Sequence, residues 1–310
     1  MNKNDRILIT GGSGMLGHAL QRVLSEQGYW NVFPVGRTAG DLKNTFDAES
    51  IFEYYSPDYV FHLAAQIHGG GGNVKYKADV LYNNAMINMN VINFSREAKV
   101  KKIVAVGSGC IYPDFGKGLG LTEDQIWSGE PHESEDAYAH TKRFMLAQLK
   151  ANKEQYDMPF AYAICGNMYG EYDNFDIQNG HVIPGLIAKF YKAVQKKSFV
   201  SAWGSGIAIR DFSYGYDSAR ALYLLMQECE GPINIGSGFV HPISDVVNIL
   251  KDITKIEVLY DRSKSNGQLE RYYSLNKLND LGFKAEVDLE SGIRRTYDWY
   301  TAYIRRMKNG

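Results

Sequence analysis

Through the first half of the chain, short runs of β-branched and aromatic residues alternate with longer stretches in which apolar positions recur every three to four residues. This pattern predicts strands at residues 6–10, 30–35, 58–63, 102–106 and 160–165. Helices are predicted at 15–27, 48–55, 79–98 and 138–155, with Gly28 as the stop of the first. Such an order of elements is that of βα units wound into a parallel sheet, an α/β fold. The second half is less regular. It predicts helices at 184 to about 196, 217–228, 243–253 and 289–306 and a strand at 233–235, read as a smaller, mixed α/β lobe beside the sheet.

Length and charge narrow the classes open to this chain. Its 310 residues, 45% of them apolar, suffice for one large domain or two modest ones. With 34 basic and 35 acidic side chains the net charge is −1, which offers no broad cationic field for nucleic acid or an anionic membrane. Three cysteines (Cys110, Cys165, Cys229) make no disulfide framework and no metal pair, so a reducing, cytoplasmic setting is expected and no metal. No signal peptide is read at the N-terminus, and no apolar run is long enough to cross a membrane. Two long connections, 66–78 with its Gly69–Gly72 run and 112–137, are expected to cover a site.

Chemistry enters at the first strand. Ile7-Leu8-Ile9-Thr10-Gly11-Gly12-Ser13-Gly14-Met15-Leu16-Gly17 is a buried-strand pattern followed by glycines and then a helix. Glycines permit the tight turn, let the backbone approach a pyrophosphate and let helix and strand pack closely, while the helix N-terminus offers free N–H groups to an anion. The segment therefore reads as a dinucleotide loop of a Rossmann-like, doubly wound sheet. Residues 1–166, with sheet and helix contributions from about 207–236, would form the dinucleotide-binding domain, and 167–310 mainly the substrate lobe. After the second strand, Val35-Gly36-Arg37-Thr38 carries a guanidinium where an NAD site would carry a ribose-binding acid. Arg37 could pair with a 2′-phosphate, which favours NADP; with Asp41 as the ribose acid the alternative is NAD.

Tyr138 and Lys142 stand four residues apart in a helical stretch, hence on one face. A neighbouring ammonium is expected to bring the tyrosine pKa down from near 10 toward neutrality, as acid–base work requires. Ser108, just after the fourth predicted strand, would add a hydroxyl at the mouth of the sheet.

With these motifs in place the chain, from about Arg6 to Trp299, resembles an extended short-chain dehydrogenase/reductase. That resemblance implies a catalytic triad of Ser108, Tyr138 and Lys142, with Asn84 as proton-relay support and a member of the cofactor site. It also implies cofactor contacts from Gly11, Gly14, Met15, Leu16 and Gly17, from Ala64 and Ala65 in His62-Leu63-Ala64-Ala65, and from Asp47 near the adenine. Asn167 matches the asparagine facing the substrate phosphates.

Within that family, Gly107-Ser-Gly-Cys-Ile-Tyr-Pro113, Asp173-Asn-Phe, Gly180-His-Val-Ile-Pro184, Trp203-Gly-Ser-Gly206 and Arg210-Asp-Phe212 resemble the GDP-L-fucose synthases. The resemblance implies an NADP-dependent epimerase/reductase of a GDP-4-keto-sugar, deoxyhexose or heptose, with Cys110 as epimerising base and His181 as acid. Lys189 and Arg210 fall where those enzymes hold the nucleotide and diphosphate, and Trp203 is read either as a core residue or as a face that stacks on the ligand. A C4 ketone acidifies the C3 and C5 hydrogens, so a base and an acid on opposite ring faces can invert both centres. The alternative is an NAD-dependent nucleotide-sugar C4 dehydrogenase or epimerase, since GDP-mannose 3,5-epimerase is similar around Cys110, in Tyr82-Asn-Asn84 and in Pro113-Asp-Phe115. A non-catalytic NAD(P)-sensing protein is the remaining class, disfavoured by retention of Tyr138 and Lys142. Departures from the fucose-synthase pattern include Ser13 in the glycine loop, Gly109 beside the triad serine, Lys189 for an arginine, and Ser265–Tyr273 for a Pro-Asp-Gly-Thr-Pro-Arg type segment. A homodimer is expected by resemblance, built on the helices 79–98 and 138–155.

Overall fold

The computed structural model describes residues 1–67, 75–114, 120–264 and 266–309. Gly69–Gly72, Phe115 and Ser265 lie outside the described residues. The strands of the first half are β1 (Ile7–Thr10), β2 (Val32–Val35), β3 (Tyr59–His62), β4 (Lys102–Val106) and β5 (Phe160–Cys165). Together with β9 (Gly231–Ile235), they form a parallel sheet in the order β2-β1-β3-β4-β5-β9. Ile7 pairs with Val32 on one side and Tyr59 on the other. Ile7, Leu8, Ile9, Ile103, Val104 and Ala161 are wholly buried. Strands covered on both faces read as continuous apolar runs, and for that reason the sequence pattern found them.

Helices α1 (Met15–Glu26) and α6 (Gly215–Glu228) pack together on one face of the sheet; α2 (Thr45–Tyr55), α3 (Lys77–Glu97) and α4 (Asp136–Tyr156) cover the other. Local chemistry sets their ends. Asn44 caps α2 by accepting from the Phe46 and Asp47 amides, which starts that helix three residues before the predicted residue 48. Gly28, at φ 77°, ends the run after α1. Strand order reverses between β2 and β3 around β1, so the crevice for a ligand lies beyond the carboxyl ends of β1, β3 and β4.

The smaller lobe contains strands that the sequence pattern did not predict. Here β8 (Ile209–Tyr214) lies between β10 (Val240–Pro242), antiparallel, and β12 (Glu270–Arg271), parallel. β6 (Asn167–Tyr169) also pairs with β8, and β7 (Val200–Trp203) pairs with β11 (Val258–Asp261). Most of these segments are two to four residues long, too short to show a period, and partners distant in sequence define them. Helices α5 (Val182–Lys196), α7 (Ile243–Thr254) and α9 (Leu289–Asn309) enclose a second core of Ile183, Ile187, Phe190, Val246, Leu250 and Ile293. Between them lies the short α8 (Asn276–Asp280).

Candidate active site

Three chain segments meet beyond the sheet: the turn after β1, the segment after β3 and the turn after β4. In the first, Gly11 has φ 73° and sits so near β3 that a Cβ would lie 2.8 Å from the Ala64 nitrogen. A Cβ on Gly17 would lie 2.6 Å from the carbonyl oxygens of Gly11 and Gly12. Glycine at these positions folds the loop flat against the sheet and lets α1 start directly behind it. Gly14 is the N-cap of α1; no side chain caps the helix and no acid occupies its first turn, so the amides at Met15 and Leu16 suit an anion. Both dinucleotide tests, a loop that excludes side chains and an uncapped helix, are met.

At the end of β2 the Ser13 hydroxyl packs against Gly36, where a Cβ would lie 2.9 Å from it, beside exposed Arg37. Among the described residues no carboxylate pairs with Arg37, whereas Asp41 is paired with Lys43 at 3.4 Å and donates its amide to Asp47 at 2.8 Å. An unpaired guanidinium and an occupied acid fit a 2′-phosphate better than a free ribose hydroxyl.

Beneath this loop runs a buried chain of hydrogen bonds that sequence reading missed. Thr10 Oγ1 meets His62 Nδ1 at 2.8 Å, His62 Nε2 meets Asn88 Oδ1 at 3.0 Å, and Asn88 donates to the Thr141 carbonyl at 3.4 Å. It links β1 and β3 to the residue preceding Lys142. Burial, with help from Lys142, pushes the His62 pKa down to about 3, so the imidazole is neutral. Asn84, expected as proton-relay support, instead donates to the Gln66 and Val80 carbonyls at 2.9 and 2.8 Å and accepts from the Gln66 amide at 2.9 Å. Its amide clamps the chain leaving β3.

The turn after β4 presents Ser108 and Cys110. Ser108 caps a short 3-10 turn, Gly109–Ile111, its hydroxyl accepting from the Cys110 amide at 3.4 Å. Arg143 of α4 holds the turn from behind by donating to the Ile111 carbonyl at 2.8 Å. Tyr138 and Lys142, also on α4, are buried. The Lys142 ammonium donates to the Val106 carbonyl at 2.8 Å and lies 5.6 Å from the centre of the Tyr138 ring.

That arrangement corrects the expected activation. Burial pushes the Tyr138 pKa well above 10, with the Cys110 and Cys165 sulfurs adding to the effect, and burial brings Lys142 down to about 8. Burial governs both groups in the free protein, and Tyr138 rests as a protonated donor. Cys110 is likewise a thiol, pushed up to about 12 by burial and by Glu135, with Ser108, Arg271 and Lys142 opposing.

Glu135 and Arg271 were not singled out in the sequence. Glu135, three residues before Tyr138, accepts from Arg271 of β12 at 2.5 Å, and Arg271 also donates to Gln268 Oε1 at 2.7 Å. Burial opposes both charges, but each partner outweighs it: the carboxylate is held below its usual range and the guanidinium above. This pair ties the N-terminus of α4 to the smaller lobe and bears on the Cys110 thiol.

The predicted substrate residues lie in that lobe, and the remaining cofactor residues do not. Asn167 donates to the Asp211 carbonyl at 3.4 Å. Arg210 donates to the Ile209 and Gln268 carbonyls at 2.7 and 2.5 Å, and burial and neighbouring Arg271 bring its pKa down to about 10. Lys189 donates to the Ser201 carbonyl at 3.2 Å, its ammonium 4.3 Å from the Trp203 ring centre. Trp203 is half exposed and free to offer a face to a ligand. His181 is exposed at the N-cap of α5. Asp47 is in the first turn of α2, and Ala65 follows Ala64 along the same crevice edge. Among the described residues no cluster of ligands could hold a metal ion.

Comparison with known proteins agrees with this geometry. GDP-L-fucose synthase of Dictyostelium discoideum is 33% identical over 95% of this chain and 94% of that one. A GDP-L-fucose synthetase from Naegleria fowleri, solved bound to NADP, superposes with a TM-score of 0.89 at 31% identity, covering 98% of this chain and 96% of that one. A GDP-6-OMe-4-keto-L-xylo-heptose reductase from C. jejuni superposes with a TM-score of 0.90 at 28% identity over 98% and 99%. Residues 7–236, from β1 through β9, match one family along their length, and the chain belongs to the NAD dependent epimerase/dehydratase family.

Proposed function

We propose that the protein is an NADP-dependent oxidoreductase that reduces C4 of a GDP-4-keto-sugar, deoxyhexose or heptose, after epimerising the carbons beside the ketone. The observation that carries this reading is the turn bearing Ser108 and Cys110 beside Tyr138 and Lys142, on a chain similar along its length to GDP-sugar synthases and reductases. Arg37, which pairs with no carboxylate among the described residues and stands beside the glycine loop, supports NADP over NAD.

Bound NADPH would supply the hydride for C4. Tyr138, protonated in its buried site, donates the proton that the C4 oxygen gains. Lys142, cationic and anchored to the Val106 carbonyl, steadies the phenolate left behind, and Ser108 donates a hydrogen bond to the same sugar oxygen. Before reduction, Cys110 must first release its thiol proton to solvent; the thiolate then takes a proton from C3 or C5, and His181 gives its proton to the opposite face. Cys110 rests as a thiol, so its strength as a base is set by the balance of Lys142 and Arg271 against Glu135. Asn167, Lys189 and Arg210 would face the diphosphate, with Trp203 against the nucleotide. Residues 1–166 together with α6 and β9 act as the dinucleotide-binding domain and the rest mainly as the substrate lobe.

An exposed apolar stripe of Leu81, Tyr82 and Met89 on α3 and Phe144 on α4 supports a homodimer through these helices. The functional test is incubation with GDP-4-keto-6-deoxymannose or a GDP-4-keto-heptose and NADPH in D₂O, with NMR of the product. NADPH oxidation and deuterium at C3, C5 or both are expected. Oxidation without deuterium would leave a plain C4 reductase, and no oxidation with either sugar would overturn the reading.

A further inference from the structure

Two glycines open a slot at the mouth of the sheet, and one side chain of the smaller lobe fills it. Gly109 stands in the turn after β4 and Gly166 directly after β5. A Cβ on Gly109 would run into the Tyr273 hydroxyl, and a Cβ on Gly166 would lie 3.0 Å from the edge of the same ring. Tyr112, which ends the 3-10 turn, tilts against that ring with centres 5.7 Å apart. The segment that carries Tyr273 is fastened on both sides. The Leu121 amide donates to the Tyr272 carbonyl at 3.2 Å, the Ser274 amide donates to the Leu121 carbonyl at 3.0 Å, and Asn234 of β9 donates to the Ser274 carbonyl at 3.0 Å.

The ring so held ends in a hydroxyl that the protein leaves without a partner. Tyr273 is only 7% exposed, yet among the described residues no hydrogen bond engages its oxygen. Neighbouring Tyr112, equally buried, donates its hydroxyl to Asn234 Oδ1 at 2.6 Å. A tyrosine buried to this degree normally finds such a partner, and native structures rarely keep one without it unless it has a use. Nor is the Tyr273 oxygen one of the partnerless atoms sealed from solvent, so it opens on the crevice and can meet a ligand there. Burial pushes its pKa up, with Arg271 opposing and Glu135 and Cys110 adding, and the phenol stays a protonated donor at neutral pH.

We propose that Tyr273 is a substrate-binding residue whose hydroxyl donates a hydrogen bond to the oxygen on C3 of the sugar. The inference rests on the reading that Ser108 meets the C4 oxygen and Cys110 acts on a carbon beside it. A donor standing at Gly109, between those two residues, addresses a substituent next to the ketone. Of the two neighbouring carbons only C3 carries a hydroxyl, since C5 is joined to the ring oxygen and to C6. Held by packing rather than by a hydrogen bond of its own, the phenol is preorganised for that oxygen and breaks no protein contact when the sugar binds.

The test uses Tyr273→Phe, which removes the hydroxyl and keeps the ring. Its denaturant midpoint should equal or exceed that of wild type, because no protein hydrogen bond is lost. A lower midpoint would give the hydroxyl a structural partner and overturn the proposal. By calorimetric titration, wild type should bind GDP-mannose about tenfold more tightly than GDP-3-deoxymannose, whereas Tyr273→Phe should bind the two alike and keep its affinity for NADPH. A preference absent from wild type, or kept in full by Tyr273→Phe, overturns the contact with C3. With GDP-4-keto-6-deoxymannose, kcat/KM of the variant should fall about tenfold. If wild type reduces that sugar and Tyr273→Phe matches it in every measurement, this inference alone fails. If wild type neither binds nor reduces any of these GDP-sugars, the substrate reading fails and takes the inference with it.

Discussion

The Tyr273 hydroxyl occupies the space that a Cβ on Gly109 would need. Gly109 lies between Ser108 and Cys110, and Tyr273 comes from the smaller lobe, so the turn after β4 is shaped by a residue more than half the chain away. Gly109→Ala should force Tyr273 out and destabilise the fold by about 1–3 kcal/mol through overpacking. Denaturant midpoints with unchanged slopes measure this, and Tyr273→Ala in the same background should recover part of the loss. A Gly109→Ala protein as stable as wild type would mean that Tyr273 does not sit there.

Tyr138→Phe removes the proton donor and leaves the glycine loop intact. C4 reduction should fall by about 10²–10⁴-fold while NADPH affinity stays within a few-fold. Steady-state kinetics beside a fluorescence titration of NADPH separates the two, and near-normal turnover would take Tyr138 out of the mechanism.

Arg37→Ala tests the cofactor. With Asp41 occupied by Lys43 and no carboxylate on Arg37, NADPH binding should weaken by about 1–3 kcal/mol and NADH binding should change little. Equal losses for both would show that Arg37 does not meet the 2′-phosphate.

The Glu135–Arg271 pair predicts how Cys110 reacts. Its thiol is pushed up to about 12, partly by the Glu135 carboxylate, so alkylation at pH 8 should be slow in wild type. Removing that negative charge favours the thiolate: Glu135→Gln should lower the pKa and speed alkylation at fixed pH. Arg271→Ala removes a positive charge and should slow it. Mass spectrometry of Cys110, with Cys229 as an internal reference, reads both changes, and the opposite order would overturn the electrostatic assignment.

Much of this was legible before any coordinates. Parallel strands buried on both faces must be apolar along their length, so β1, β3, β4 and β5 announce themselves within a residue or so. The glycine loop and the four-residue spacing of Tyr138 and Lys142 are local patterns with local physical causes, and the resemblance they carry led to the GDP-sugar reading. Short strands such as β6, β10 and β12 escaped because two or three residues hold no period and their identity comes from a partner strand.

Electrostatics was decided only by the tertiary structure. Spacing alone could place Lys142 beside Tyr138, yet whether attraction or burial governs the phenol depends on how much water the packed crevice excludes. Glu135 and Arg271 are 136 residues apart and ordinary in sequence; they matter because β12 lies alongside β8 and turns its arginine onto the N-terminus of α4. Asn84 clamps Gln66 and Tyr273 fills the space at Gly109 for the same reason. Chain periodicity encodes which face of an element is apolar, whereas desolvation and pairing between distant segments arise only when those faces close on one another.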